Sequence, residues 1–223
     1  AQRGEAVAPH AVRPFYIRRP DAELAREKRR GLGVNNGMIL DVGSRLGLVP
    51  LKILWEKDEF FGIGLQPFKR MADRAVETAK AWELNERMFF HVGNPRQIKL
   101  KDAYFDLVIS DAALCNLEDP LEMLIEINRV AKPSGAILIR DLVRPSRLRR
   151  PSYLANHRSH YKGTLQSTFE TSIGRSFTQR EIVDLIRKSG LRARVSSDHT
   201  HVFIERRGSN DPSSWVTERE KYF

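Results

Sequence analysis

A regular alternation of short apolar runs with longer stretches of helical periodicity constrains this chain most strongly. Residues 38–42 form an apolar run that ends at Gly43, the pattern of a strand buried on both faces. Residues 46–55 read as helix, with Pro50 tolerated only in the first turn. Residues 60–65 make a second strand, after which Phe68, Met71, Ala72, Ala75, Val76, Ala79 and Trp82 recur at helical spacing. The alternation continues through strands at 88–92 and 105–110, a helix at about 120–131, a turn at Pro133-Ser134-Gly135 and a strand at 136–141. Such a series predicts an α/β fold, Rossmann-like, with helices on both faces of a mostly parallel sheet and right-handed crossovers. Thr178 and Glu181 have the spacing of a capping box for a helix reaching Lys188. Strands near 191–196 and 201–206 bring the expected sheet to seven strands.

At 223 residues the chain is one large domain or one domain with additions. Its 41% hydrophobic and 30% charged residues exclude a disordered chain, and no run approaches the ~20 apolar residues of a membrane helix. Cys115 is the single cysteine, which excludes an intrachain disulfide and a cysteine-based metal cluster. The expected address is cytoplasmic, or an organelle matrix if a targeting segment was removed ahead of the arginine-rich start. The net charge of +10 is local: residues 1–30 contribute +4 and residues 140–162 contribute +6. The rest is close to balance, residues 31–139 being slightly acidic at −2 and 163–223 slightly basic at +2. Three parts follow: a basic arm with a helix at 1–34, the α/β domain at 35–207 with a basic insertion at 142–177, and a polar tail at 208–223. An anionic partner would meet the two positive stretches.

In an open parallel sheet, ligands bind outside the carboxyl ends of the strands, so the residues just beyond each strand matter most. They are Asp41-Val42-Gly43-Ser44-Arg45-Leu46-Gly47 after the first strand, Gly62-Ile63-Gly64-Leu65-Gln66-Pro67 at the second and Val92-Gly93-Asn94-Pro95 after the third. The fourth strand is Phe105-Asp106-Leu107-Val108-Ile109-Ser110-Asp111, and Arg129-Val130-Ala131-Lys132-Pro133-Ser134-Gly135 leads into the fifth. This ordered series resembles the class I S-adenosylmethionine-dependent methyltransferases, in particular the group containing the ubiquinone and menaquinone C-methyltransferases. The likeness is close over about 36–141 and extends to about 206.

The resemblance implies S-adenosyl-L-methionine as cofactor. Asp41 and Gly43 would hold its amino end, with Ser44, Arg45 and Gly47 completing the loop. Gln66 would reach a ribose hydroxyl, Asn94 and Pro95 would border the adenine, and Ser110 and Asp111 would form the floor. Four positions depart from the family pattern. Arg45 replaces the middle glycine of the loop, and Gly64 stands where the family's ribose-binding carboxylate falls. Asn94 replaces the aspartate that accepts from the adenine amino group, and Pro95 has no N–H to offer the adenine ring. Each uncompensated hydrogen bond to a neutral group costs about 0.5–1.5 kcal/mol.

Several residues keep two readings. Arg45 either pairs with the cofactor carboxylate or is a solvated charge. Asp111 is either an acid or base by position or a helix cap before Ala112 and Ala113. His157 and His160 face an acceptor or belong to a basic lid surface, and His199 and His201 lack the third ligand a metal site needs. Met71, Met88 and Phe89-Phe90 read as core. No metal is expected and no catalytic residue is assigned. The leading functional expectation is methyl transfer to an anionic or amphipathic small molecule, steered by the basic lid and arm. The alternative is a catalytically inactive methyltransferase-like subunit of a larger complex, RNA-protein among them, engaged through 1–30 and 140–162. An active RNA methyltransferase ranks third, because neither an RNA-binding module nor a base-flipping motif is present.

Overall fold

The computed structural model describes residues 37–158, 163–198 and 201–207. Strand β1 (Gly37–Val42), helix α1 (Leu48–Glu56), β2 (Phe60–Gln66), α2 (Lys69–Ala81) and β3 (Met88–Val92) alternate as their periodicity predicts. They are followed by β4 (Phe105–Asp111), a single 3-10 turn (Leu114–Asn116), α3 (Leu121–Val130) and β5 (Ala131–Leu142). The basic insertion holds α4 (Arg150–Arg158) and α5 (Thr164–Arg175), and the chain continues through α6 (Gln179–Ser189), β6 (Arg194–Ser197) and β7 (His201–Arg206).

The seven strands lie in the order β3-β2-β1-β4-β5-β7-β6. The first five are parallel, whereas β7 runs antiparallel to both β5 and β6. The direction of winding reverses between β1 and β4, which opens a crevice at their carboxyl ends. Alternate residues of the central strands serve the two faces. Leu40, Val42, Val108 and Ile137 pack with α3 and α6, while Ile39, Leu107 and Ile109 pack with α1 and α2. Most of these side chains are fully buried, each contributing about 1.5–3 kcal/mol of transfer free energy.

Two local predictions are met closely. Pro50 lies in the first turn of α1, where a missing N–H costs nothing. Thr178 caps α6: its hydroxyl accepts from the Glu181 N–H (3.3 Å) and its own N–H donates to the Glu181 carboxylate (2.7 Å). The expected turn at Pro133-Ser134-Gly135 is instead a bulge inside β5, whose pairing jumps from Phe105↔Ala131 to Leu107↔Ala136. Arg206 of β7 holds this bulge, donating to Lys132 O (2.7 Å), Gly135 O (3.2 Å) and Asn128 Oδ1 (3.0 Å). Phe89, expected in the core with Phe90, is 48% exposed because β3 is the edge strand and the two residues point to opposite faces. The expected helix at 21–30, the rest of the arm and the tail lie outside the described residues. No helix among the described residues is long and apolar enough to cross a membrane.

Candidate functional site

The loop after β1 is shaped by backbone conformations that favour glycine. Gly43 has φ 78° and donates its N–H to Leu65 O (2.8 Å), which ties the loop to β2. Gly47, also left-handed, begins α1 by accepting from Leu51 N–H (3.1 Å). Arg45 between them keeps a left-handed backbone (φ 50°) despite its side chain, a conformation that costs roughly 1–2 kcal/mol outside glycine. Its side chain is exposed, near enough to the Cys115 thiol to act on it electrostatically.

Behind this loop, Asp41 and Gln66 are both fully buried at the ends of β1 and β2. Gln66 Nε2 donates to Asp41 Oδ2 across a long 3.4 Å contact. Asp41 Oδ1 and Gln66 Oε1, also buried, have no hydrogen-bond partner among the described residues. Burial pushes the Asp41 carboxyl up to about 7; the nearby Ser44 hydroxyl pulls it down and the Asp111 charge pushes it further up. Two adjacent buried acceptors without donors call for a cation or a hydroxyl, because an unsatisfied buried polar group costs about 1–3 kcal/mol.

Beyond β4 the geometry assigns different work to the two expected floor residues. Ser110 is fully buried and its hydroxyl donates to Val42 O (2.9 Å), tying β4 to β1. Asp111 N–H donates to Ser44 Oγ (3.0 Å), while both its carboxylate oxygens accept from Arg140 at 2.8 and 2.9 Å. Asp111 is therefore held by a two-pronged ion pair instead of capping the turn that follows. The cap comes from Asp141 of β5, which accepts from the Leu114 N–H at 2.7 Å. Burial raises the Asp141 carboxyl to about 6. Burial and the Asp141 charge raise the Cys115 thiol well above its ordinary value, which disqualifies it as a nucleophile at neutral pH.

The adenosine side departs furthest from the expectation. Asn94 is exposed and its side-chain carbonyl already accepts from the Arg96 N–H (3.0 Å), and Pro95 follows it at the sheet edge. Gly64 pairs in register with Phe90 of β3. A Cβ at Gly64 would stand 2.1 Å from the Phe90 ring, and one at Gly47 would stand 2.3 Å from the far end of the same ring. The ring thus fills the notch between the glycine loop and β2, the place where the resemblance puts a ribose-binding carboxylate.

Asp41, Gly43, Ser44, Arg45, Gly47, Gln66, Ser110 and Asp111 therefore gather around the β1/β4 crevice, whereas Asn94 and Pro95 follow the outermost strand. His201 is half-buried beside Arg140, and burial together with that positive charge lowers its pKa. His160 and His199 lie outside the described residues. Sequence reasoning missed Phe90, Arg140 and Asp141 as parts of the site. The first two carry a signal only once strand register is known, because Phe90 lies opposite Gly64 and Arg140 opposite Asp111.

Strand order, glycine loop and buried acidic residue at the end of β1 define a class I, Rossmann-like methyltransferase fold. Residues 40–139 match the family model described as a methyltransferase domain. An uncharacterized methyltransferase of Schizosaccharomyces pombe is 30% identical over 109 residues, which is 46% of this chain and 39% of that protein. The sterol 24-C-methyltransferase of Aspergillus fumigatus is 31% identical over 125 residues, covering 55% and 32%. This chain matches between about a third and two fifths of the length of these curated relatives. A putative S-adenosyl-L-methionine-dependent methyltransferase of Methanococcus maripaludis superposes with a TM-score of 0.61 at 18% identity, over 86% of this chain and 94% of that one. Over residues 40–139 the chain thus resembles a methyltransferase domain, and it shares its fold with methyltransferases that depend on the cofactor S-adenosyl-L-methionine. The residues present fit that cofactor at its methionine end: its ammonium offers the donors that Asp41 Oδ1 and Gln66 Oε1 lack. At the ribose end no such fit is present: Gln66, expected to reach a ribose hydroxyl, is fully buried and donates to Asp41, and Gly64 stands opposite Phe90 where a carboxylate was expected.

Proposed function

We propose that this protein transfers a methyl group from S-adenosyl-L-methionine to an anionic or amphipathic small molecule. The observation that carries the reading is the pair of buried, donor-less oxygens of Asp41 and Gln66 beside the Gly43 turn. S-adenosyl-L-methionine supplies an already activated methyl group, so the chain's own work is to orient, to exclude water and to hold the acceptor in line. Asp41 and Gln66 would hold the methionine ammonium, and Arg45 would pair with the cofactor carboxylate from its left-handed loop position. Ser44 and the Asp111–Arg140 pair keep the floor rigid between β1 and β5.

The anionic or amphipathic character of the acceptor is supported by the insertion, which leaves the carboxyl end of β5 and carries Arg147, Arg149 and a 94% exposed Leu148. The A. fumigatus relative is named for a sterol, an amphipathic molecule. A second reading, a methyltransferase-like subunit that serves binding or assembly in a larger complex, is favoured by the Phe90 ring in the ribose notch. Incubation of the full chain with cofactor labelled in its methyl group and a library of small acids and amphiphiles separates the two. Transfer of label to a small molecule supports the enzyme. Absence of transfer, together with retention of an RNA or protein partner, supports the assembly reading.

A further inference from the structure

After β4 the chain passes through its 3-10 turn and runs beneath α5, and a cavity of about 380 Å³ lies between them. Cys115, Asn116, Leu117, Glu118, Arg175 and Phe177 line it. The cavity adjoins the cofactor loop: a Cβ at Gly43 would meet Ala113 Cβ at 3.1 Å, and Arg45 acts electrostatically on the Cys115 thiol. Leu117, Phe177 and Cys115 make an apolar wall. Arg175 and Glu118 are opposite charges on the solvent-exposed rim of that lining, and neither side chain has a hydrogen-bond or ion-pair partner among the described residues. The adjacent cation is already committed, since Arg144, whose N–H donates to Phe177 O (2.9 Å), grips Glu181 at 2.6 and 2.7 Å.

Size and charge restrict what fits. At about 380 Å³ the space lies at the small end of the range of small-molecule sites. A guanidinium matches a carboxylate with two parallel hydrogen bonds. Glu118 on the same lining repels a second negative charge and accepts from a hydroxyl or an amine. We propose that this cavity binds the methyl acceptor as a small hydroxy- or amino-carboxylic acid. Its carboxylate lies on Arg175, its apolar body against Leu117 and Phe177, and its donor group towards Glu118. The assignment of this ligand as acceptor rests on the methyl-transfer reading above, whereas the recognition itself is a property of the cavity.

Calorimetric titration of the full chain tests it in two arms, without cofactor and saturated with S-adenosylhomocysteine. The probes are para-hydroxyphenylacetate and ε-aminocaproate, each against the corresponding carboxamide, which lacks the negative charge. At least one acid is expected to bind at least tenfold tighter than its amide, and Arg175→Gln is expected to abolish that preference while leaving S-adenosylhomocysteine affinity unchanged. Arg175→Lys should retain part of the preference, which a merely structural role for Arg175 would not produce. Equal binding of acid and amide, a preference that survives Arg175→Gln, or silence from both acids up to about 10 mM overturns the proposal. Failure of S-adenosylhomocysteine to bind strikes the methyl-transfer reading instead, and the cofactor-free arm still decides the cavity.

Discussion

Replacing Asp41 by Asn should make the cofactor-free protein relatively more stable at alkaline pH while weakening its hold on the cofactor. Asp41 is fully buried with its carboxyl pushed up to about 7, so the folded chain binds this proton more tightly than the unfolded chain does. For an acid shifted upward, the cost to folding appears as pH rises through the unfolded value near 4 and is complete above the folded value near 7. A rise from near 4 to about 7 corresponds to roughly 4 kcal/mol at most, of which somewhat more than half develops between about pH 5 and about pH 8. Asn keeps an acceptor for the Gln66 amide but adds a buried N–H₂ with no assured partner, a cost of about 1–3 kcal/mol that does not vary with pH. The stability difference, variant minus wild type, should therefore climb by roughly 2–3 kcal/mol over that pH range, on the order of 5–10 °C in melting temperature for a chain of this size. Urea titrations at the two pH values measure it. In the same variant the affinity for S-adenosylhomocysteine should fall about 10- to 100-fold, because a charge-assisted hydrogen bond to the ammonium is lost. A stability difference that stays constant with pH would refute the view that Asp41 is a carboxyl raised by burial, with one oxygen lacking a donor.

Two further perturbations probe the neighbouring structure. Gly64→Asp restores the carboxylate position that the family resemblance implies, but its Cβ would collide with the Phe90 ring, so the single variant should lose about 1–3 kcal/mol of stability. Paired with Phe90→Ala, it should be less destabilised than the two single effects predict and should bind S-adenosylhomocysteine more tightly than Phe90→Ala alone; strict additivity in a thermal-melt double-mutant cycle would show that the ring does not occupy the notch. Arg140→Met leaves Asp111 without its two-pronged partner and should cost about 1–3 kcal/mol in urea unfolding, a loss that Asp111→Asn in the same chain partly recovers. An unchanged midpoint in the single variant would show that the pair contributes nothing.

The parallel strands were legible because burial on both faces makes them near-continuous apolar runs, and the Thr178 cap because its chemistry spans only four residues. What escaped reading depends on partners distant in sequence. Pro133-Ser134-Gly135 has the composition of a turn, yet the chain continues as strand because Arg206, from the last strand, satisfies the carbonyls of the bulge. Asp111 resembles a helix cap until Arg140 is brought opposite it in register. Phe90 resembles ordinary core until it is found filling the space vacated by the side chains absent at Gly47 and Gly64. Gln66 is legible as a site residue from its place at the end of β2, whereas its contact with Asp41 depends on burial of both groups.

In the function proposed above, the β1/β4 crevice binds the cofactor through Asp41 and Gln66 although its adenosine contacts are altered. Calorimetric titration of the full chain with S-adenosyl-L-methionine and S-adenosylhomocysteine tests it most directly. Saturable one-site binding in the micromolar range is expected, tightening as pH rises from about 6 to about 8 while the Asp41 carboxyl ionises. No binding heat at millimolar cofactor, or an affinity unchanged by Asp41→Asn, would contradict it.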